Sequence, residues 1–159
     1  MRLYFLRHGL AGDSREWKGD DFARPLTEEG IVKMKRTAET CAKLELDLHL
    51  ILTSPLVRAY QTAEIVARQL KMQDKLVKDE RLGSRFGIKF LAEILAEHSK
   101  ADSLMLVGHE PGMSDTVSHL IGGGRVVFKK GALACVELSD AKSLKGELVW
   151  LLPPKVLVL

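Results

Sequence analysis

Hydrophobic residues fall into six short runs, and the earlier runs are separated by longer stretches in which apolar positions recur at helical spacing. Short apolar runs bounded by turn residues are typical of buried strands. The predicted strands are residues 2–6, 50–53, 76–78, 103–107, 132–138 and 147–152. The remaining residues, 153–159, are compatible with either an edge strand or a frayed end.

Apolar residues between these runs share the faces of predicted helices. One face is formed by Ile31, Met34, Ala38, Cys41 and Ala42, a second by Ala59, Ala63, Val66, Ala67 and Leu70, and a third by Leu91, Ile94 and Leu95. Residues 113–121 predict a short fourth helix, and Thr27 is a good N-cap for the first. Strands that alternate with helices indicate βαβ units and a mostly parallel sheet. We therefore expect a three-layer α/β/α sandwich whose last two strands pair as an antiparallel hairpin.

Composition limits the class of protein and of partner. The 159 residues are 46% hydrophobic and 28% charged, with a net charge of +3, which predicts a single globular domain, 1–159. The basic residues are scattered, which argues against nucleic-acid binding. Cys41 and Cys135 stand alone, which favours a reducing compartment. No apolar run reaches the roughly 20 residues of a membrane span, so we expect a cytoplasmic protein without a membrane partner.

Three of the predicted strands lead into residues that can carry chemistry. The first strand is followed by Arg7, His8 and Gly9, the second by residues 54–58, and the fourth by residues 108–112. Ligands of open parallel sheets bind beyond the carboxyl ends of the strands. Two histidines and two arginines are therefore expected to meet at one edge of the sheet.

Arg58 is expected in the first turn of the second helix, with Ser54 as N-cap and Pro55 at the first helical position. A cation at that position opposes the helix dipole. An anion held between Arg58 and the free N–H groups of the helix would resolve the conflict. A solvated arginine is the alternative.

His8 and His109 each stand beside a glycine, which allows a backbone such as that of Gly9 to approach a ligand closely. A lone histidine is usually a core or surface group, but Arg7 adds a fork that can hold phosphate with two hydrogen bonds. A metal site is the rival interpretation. The residues around His109 do not form an H-E-x-x-H helix, and flanking arginines repel cations. A phosphate pocket fits these residues better.

Three motifs together resemble the histidine phosphatase superfamily, which also contains cofactor-dependent phosphoglycerate mutases. They are L-R-H-G at residues 6–9, S-P-L-x-R-A-x-Q-T-A at residues 54–63 and V-G-H-E-P at residues 107–111. R-P-L-T-x-x-G at residues 24–30 and K-G-A-L-A at residues 130–134 resemble the small SixA-type phosphohistidine phosphatases of that superfamily.

The resemblance implies a phosphoglycerate mutase-like fold and a covalent mechanism. His8 would be the nucleophile, forming a phosphohistidine that water then hydrolyses. Arg7, Arg58 and His109 would bind the phosphoryl oxygens, with Gly9 beside them. His8 must then be neutral, with its other ring nitrogen donating to a fixed acceptor such as a backbone carbonyl. No metal or organic cofactor is required.

Two further features, Glu80 and the loop of residues 12–23, each have two interpretations. Larger members of the superfamily carry a glutamate after the third strand, where Glu80 stands, so Glu80 is either the general acid or part of a solvated Asp-Glu-Arg loop. The loop of residues 12–23, with Asp13, Trp17 and Asp20, either borders the pocket or is an ordinary surface loop.

The expected activity is hydrolysis of phosphohistidine on a phosphorelay protein. No large insertion follows the second helix or the third strand to roof the pocket, and an open site suits a protein-borne group. The alternatives are a phosphomonoesterase for small phosphorylated metabolites, a mutase, and a non-catalytic phosphate-binding module. Little sequence remains to bind a mutase's second anionic group. The oligomeric state is left open.

Overall fold

The computed structural model describes residues 1–158 and contains one six-stranded sheet. The strands are β1 (Arg2–Arg7), β2 (Leu50–Thr53), β3 (Leu76–Lys78), β4 (Ser103–Gly108), β5 (Leu133–Asp140) and β6 (Lys145–Leu152). Their order is β3-β2-β4-β1-β5-β6, with β1 to β4 parallel and β5 and β6 antiparallel. All six predicted strands and the terminal hairpin are confirmed.

Helices cover both faces of this sheet. They are α1 (Glu28–Lys43), α2 (Val57–Gln69), α3 (Ile88–Glu97), α4 (Gly112–Leu120) and α5 (Pro154–Leu157). Short 3₁₀ turns occur at Asp21–Ala23, Gln73–Lys75 and Glu80–Leu82. Thr27 is the N-cap of α1, as predicted, and its hydroxyl accepts a hydrogen bond from the Gly30 N–H at 3.0 Å.

Alternating side chains of β1 divide the core into two layers. Leu3 and Phe5 pack against α3 and α4, whereas Tyr4 and Leu6 pack against α1, α2 and α5. All four are almost completely buried, and burying each contributes about 1.5–3 kcal/mol. The predicted α/β/α sandwich is therefore confirmed. Within residues 1–158, no helix is long and apolar enough to cross a membrane.

The predicted start of α2 is wrong. The helix begins at Val57 with Leu56 as N-cap, and no side chain caps it. Ser54 lies two residues before the N-cap position and therefore does not cap the helix. Its hydroxyl is instead within hydrogen-bonding distance of His109 at the sheet edge. Arg58 is still in the first turn, as its second residue.

Residues 153–158 form neither an edge strand nor a frayed end, so both predictions for this segment were wrong. They contain α5, which packs on the α1 side of the sheet through Leu157, a fully buried residue. The Thr40 hydroxyl donates to the Leu157 carbonyl at 2.6 Å. A single turn of helix is stable here because its apolar residue completes the core.

Candidate active site

The carboxyl ends of three adjacent strands converge at one edge of the sheet. Arg7 pairs with Gly108 across β1 and β4, and Thr53 pairs with Val107 across β2 and β4. The residues that follow these ends are therefore neighbours, as the sequence predicted. Together they bring Arg7, His8, Arg58 and His109 into one cluster.

His8 is held in one orientation and one tautomer at the end of β1. Its backbone N–H donates to the Gly108 carbonyl at 3.0 Å, and only 5% of the residue is exposed. Its Nδ1 lies 2.7 Å from the Gly9 carbonyl oxygen. A carbonyl oxygen can only accept, so Nδ1 carries the proton and Nε2 keeps its lone pair.

The His8 ring is uncharged at neutral pH. Burial, which is opposed by the hydrogen bond to the Gly9 carbonyl and reinforced by His109, Arg58 and Arg7, lowers the pKa of His8 to about 3. A neutral imidazole with a free lone pair is the form that can act as a nucleophile. The fixed backbone acceptor expected from the sequence is therefore the carbonyl of Gly9.

His109 faces His8 across the cluster. The two ring centroids are 5.1 Å apart, and His109 Nε2 is 2.8 Å from the Ser54 hydroxyl, which also accepts from the Leu56 N–H at 3.3 Å. Burial lowers the pKa of His109 to about 4, with Arg58 adding to the effect and Asp21 opposing it. A second neutral imidazole therefore lies beside the first.

Arg58 is buried, yet its guanidinium uses only one edge for bonds within the protein. Nη1 donates to the Asp21 main-chain oxygen at 2.8 Å, and Nη2 donates to Asp21 Oδ2 at 3.1 Å. Nε is buried and has no partner within residues 1–158. Burial lowers the pKa of Arg58, but arginine remains protonated at any ordinary pH.

Arg7, like Arg58, uses only part of its guanidinium for hydrogen bonds within the protein. Its Nη1 donates to the Phe128 carbonyl at 2.7 Å, and its buried Nε also lacks a partner in the described chain. An unsatisfied buried donor costs about 1–3 kcal/mol. Both arginines thus leave Nε–H without a partner in the described chain, on the Nε–Nη2 edge that can hold oxyanions with two parallel hydrogen bonds. The arrangement is suited to a tetrahedral anion.

Gly9 has a packing role in addition to any contact with a ligand. A Cβ at Gly9 would lie 2.5 Å from Cγ of Met34, so a larger residue would displace α1. Its N–H donates to the Thr62 hydroxyl at 3.0 Å, and that hydroxyl donates to the Arg58 carbonyl at 2.8 Å. Thr62 therefore ties the end of β1 to α2. The role of Gly9 in substrate binding stays a prediction.

The chain around the cluster is strongly basic. Lys130 precedes Gly131, whose N–H lies within hydrogen-bonding distance of the carbonyls of both Arg7 and His8. Burial and the charges of Arg7, Arg24 and Arg58 lower the pKa of Lys130. Within residues 1–158, no group of three or more histidine, cysteine or acidic side chains is placed to hold a metal ion.

Glu80 makes no side-chain hydrogen bond to these residues. It lies on the 3₁₀ turn after β3, is exposed, and accepts no side-chain hydrogen bond from residues 1–158. It lines a surface cavity of about 230 Å³ together with Phe22, Pro55, Leu56 and Arg85. Its role as a general acid stays a prediction.

Asp21 is the site residue that the sequence did not reveal. Its Oδ1 accepts from Arg24 Nε at 2.9 Å while its Oδ2 accepts from Arg58. The loop therefore does border the cluster, through Asp21 and not through Asp13, whose carboxylate pairs with Arg15. Only the three-residue spacing between Asp21 and Arg24 hinted at this contact, and that spacing is common in loops.

Comparison with known proteins identifies the family. The model of the histidine phosphatase superfamily (branch 1) matches residues 3–87. The chain belongs to this superfamily. Its members are phosphatases, so the predicted resemblance is confirmed at this level.

Three known proteins are similar to this chain over most of their length. An uncharacterized protein of Picosynechococcus sp. is 38% identical over 117 residues, which are 72% of this chain and 70% of that protein. The structure of the protein histidine phosphatase SixA complexed with tungstate is 25% identical, with a TM-score of 0.86 over 98% of both chains. The α-ribazole phosphatase from Shigella flexneri, 17% identical, has a TM-score of 0.74 over 97% of both chains and shares the fold. The predicted phosphoglycerate mutase-like fold is confirmed.

Proposed function

We propose that this histidine phosphatase hydrolyses phosphohistidine on a protein, through a covalent intermediate on His8. The observation that carries the proposal is the neutral His8 ring, whose Nδ1 is paired with the Gly9 carbonyl and whose Nε2 is free. Arg7 and Arg58 lie beside it with unpaired Nε groups. The SixA structure supports phosphohistidine as the substrate by its similarity.

The reaction has two transfers. His8 Nε2 attacks the phosphorus, the P–N bond to the substrate histidine breaks, and the substrate ring, already protonated on its other nitrogen, leaves as a neutral imidazole. Water then attacks the phosphorus, the P–Nε2 bond breaks, and inorganic phosphate leaves as His8 regains its lone pair. The free guanidinium edges of Arg7 and Arg58 stabilise the negative charge of the phosphoryl oxygens in both transition states.

His109 completes the cluster as a neutral hydrogen-bonding group. Its contact with the Ser54 hydroxyl fixes the ring relative to β2, so His109 stays aligned with His8 during both transfers. A second cation at this position would repel a protonated leaving group. The low pKa of His109 avoids that repulsion.

The leaving group favours a protein-borne phosphohistidine. The conjugate acid of a neutral imidazole has a pKa of about 6.5, whereas the conjugate acid of an alkoxide is an alcohol, whose pKa resembles the 15.7 of water. A substrate ring protonated on its other nitrogen therefore departs with little help from an acid. The connections around β3 are short: residues 70–75 precede the strand and residues 79–87 follow it. They add no domain above the cluster, which leaves room for a bulky partner.

Hydrolysis of small phosphate esters is the second candidate, and the cavity beside Glu80 is the observation that favours it. That cavity of about 230 Å³ is also lined by Arg85, which suits an anionic metabolite, and by Arg81, whose guanidinium is paired with Asp79 and Glu97. Glu80 would then supply the proton that an alkoxide leaving group needs.

A substrate panel tests the proposal. Phosphate release should be measured from free phosphohistidine, a phosphorylated histidine-containing protein domain, p-nitrophenyl phosphate and simple sugar phosphates. We expect the highest kcat/KM on the phosphorylated domain. A higher kcat/KM on a sugar phosphate would assign the second candidate instead.

The mechanism uses no metal ion, because arginines supply the positive charge. EDTA should leave the hydrolysis rate unchanged, and vanadate should inhibit by occupying the phosphoryl position. Inactivation by EDTA that zinc or magnesium reverses would contradict this mechanism.

A further inference from the structure

We propose that Asp21 is a positioning residue that holds one edge of Arg58 so that the opposite edge faces the transferred phosphoryl group. The inference rests on the proposed function, since it gives Arg58 the phosphoryl oxygens as its ligand. It concerns a loop residue that itself contacts no reacting atom.

The geometry of the guanidinium carries the argument. Asp21 accepts from Nη1 with its main-chain oxygen, at 2.8 Å, and from Nη2 with Oδ2, at 3.1 Å. These two bonds occupy the Nη1–Nη2 edge of the planar guanidinium group. The Nε–H and the second Nη2–H form its Nε–Nη2 edge, and Nε is buried without a partner in residues 1–158. That edge is a complete bidentate donor for an oxyanion.

Asp21 is itself restrained, so it can act as a fixed support. Its Oδ1 accepts from Arg24 Nε at 2.9 Å, and Arg24 Nη1 donates to the Gly12 carbonyl at 2.5 Å. Asp20 caps the Asp21–Ala23 turn by accepting from the Phe22 N–H at 3.0 Å. Both carboxylate oxygens of Asp21 and its carbonyl are therefore engaged.

Stability alone does not account for this contact. The Asp21 side chain is 56% exposed, and ion pairs with an exposed partner contribute little to folding. Their geometric effect is larger, because displacing a catalytic group by about 1 Å can cost roughly 10²-fold in rate. We assign Asp21 to the orientation of Arg58.

Competition with substrate is the opposing interpretation. In that case the Asp21 carboxylate would be an internal mimic of phosphate that the substrate must displace. The contacts disfavour competition, because Asp21 binds the Nη1–Nη2 edge of Arg58 and leaves the buried Nε without a partner in the described chain. Arg7 supports the same view, since Phe128 holds its Nη1 through a main-chain carbonyl and likewise leaves Nε unpaired.

Two neighbouring substitutions test the inference. Asp21→Ala removes the carboxylate that holds Nη2 and leaves the main-chain oxygen that holds Nη1, whereas Asp20→Ala makes the same chemical change in the same turn and removes only the cap on Phe22. We expect Asp21→Ala to lower kcat on a phosphohistidine substrate by about 10- to 100-fold and to weaken tungstate binding, measured by calorimetry. Asp20→Ala weakens the cap but leaves every hydrogen bond of Asp21 in place, so it should lose much less than Asp21→Ala in both measurements. Asp21→Glu, which keeps a carboxylate, should recover part of the loss.

Each other outcome overturns the inference. Equal losses in both variants would make the effect one of loop stability, and tighter tungstate binding by Asp21→Ala would show competition. An unchanged kcat would remove any positioning role. Thermal unfolding of each variant establishes that the compared proteins are folded.

A double-mutant cycle with Arg58→Lys identifies the group through which Asp21 acts. Lysine has no planar edge to orient, so Asp21→Ala should reduce kcat much less in that background than in the wild type. Losses that multiply fully would mean that Asp21 acts independently of Arg58. A wild type that releases no phosphate from any substrate would instead contradict the proposed function, while tungstate calorimetry would still test the contact.

Discussion

The buried cluster at the ends of β1 and β4 and the exposed turn after β3 differ in how firmly they hold their functional groups. His8 and His109 each have one ring nitrogen fixed by a neighbouring oxygen, and Arg58 is fixed by Asp21. Glu80 accepts no hydrogen bond through its carboxylate from any residue between 1 and 158. The structure therefore holds in place the groups proposed to bind and attack phosphorus, but not Glu80, the proposed proton donor.

This difference suits one kind of leaving group. Electrostatic stabilisation requires groups that are oriented before the reaction, because reorienting them costs free energy at the transition state. Proton donation to an alcohol would require a donor of similar precision. An imidazole leaving group does not need a precisely placed proton donor. Substitutions in the two regions should therefore separate the need for electrostatic stabilisation from the need for proton donation.

The largest effect is expected for His8→Ala, which removes the nucleophile from the rigid region. Turnover should cease while the fold persists, because His8 lies just beyond the strand and adds little to the core. Acid-labile phosphate should be trapped on the wild type and not on the variant.

The control is His49→Ala, which changes an exposed histidine at the amino end of β2, opposite the strand end that leads to the cluster, and should trap phosphate normally. Trapping by His8→Ala would assign the nucleophile to another residue and remove the basis of the comparison.

Arg58→Ala should have the next largest effect. Removal of one oxyanion donor typically costs about 2.7–4 kcal/mol in the transition state, a 10²- to 10³-fold loss in kcat. The free energy of unfolding should change little, because Arg58 opposes the dipole of α2 and its partner Asp21 keeps Arg24.

Arg68→Ala on the same helix is the matched control, since Arg68 is exposed and pairs only with Glu64. It should retain full kcat. A variant at Arg58 that unfolds easily but keeps full kcat would give Arg58 a structural role.

Acid should destabilise the buried region. The pKa of His8 is about 3 in the folded protein and about 6.5 when unfolded. Between these values the unfolded state binds the extra proton, so the free energy of unfolding falls as the pH falls. The slope is at most about 1.4 kcal/mol per pH unit for each such histidine, and His109 contributes between about pH 6.5 and 4.

Urea unfolding from pH 7.5 to 4.5 measures this slope. His8→Ala should flatten the profile by up to the contribution of one proton. An identical profile in both proteins would mean that the His8 pKa is not lowered.

The smallest effect is expected for Glu80→Gln on phosphohistidine, because the imidazole leaves without an acid. General acid catalysis typically contributes about 10²–10⁴-fold where it is needed, so any residual ester hydrolysis should fall much more. Both rates should be measured on one preparation of the variant. Equal large losses would place Glu80 among the essential groups and end the distinction between the two regions.

The sequence predicted much of the fold because the ends of strands and the apolar faces of helices can be recognised from the local spacing of apolar residues. It also predicted the cluster, since parallel strands bring Arg7, His8 and His109 to one edge. It failed for Ser54, because the contact with His109 that holds this hydroxyl depends on the packing of two strands. It missed Asp21 for the same reason, as the contact with Arg58 spans 37 residues.

The position of β1 between β4 and β5 has a consequence for the motions of the protein. Amides in the middle of a sheet exchange with deuterium only when much of the structure opens, whereas loop amides exchange through small local fluctuations. The Arg7 and His8 N–H groups are bonded to Ala132 and Gly108 on opposite sides, so they should exchange slowly. The backbone that carries the His8 ring should therefore stay in place, and any adjustment to a bound substrate then falls to the loop that carries Asp21.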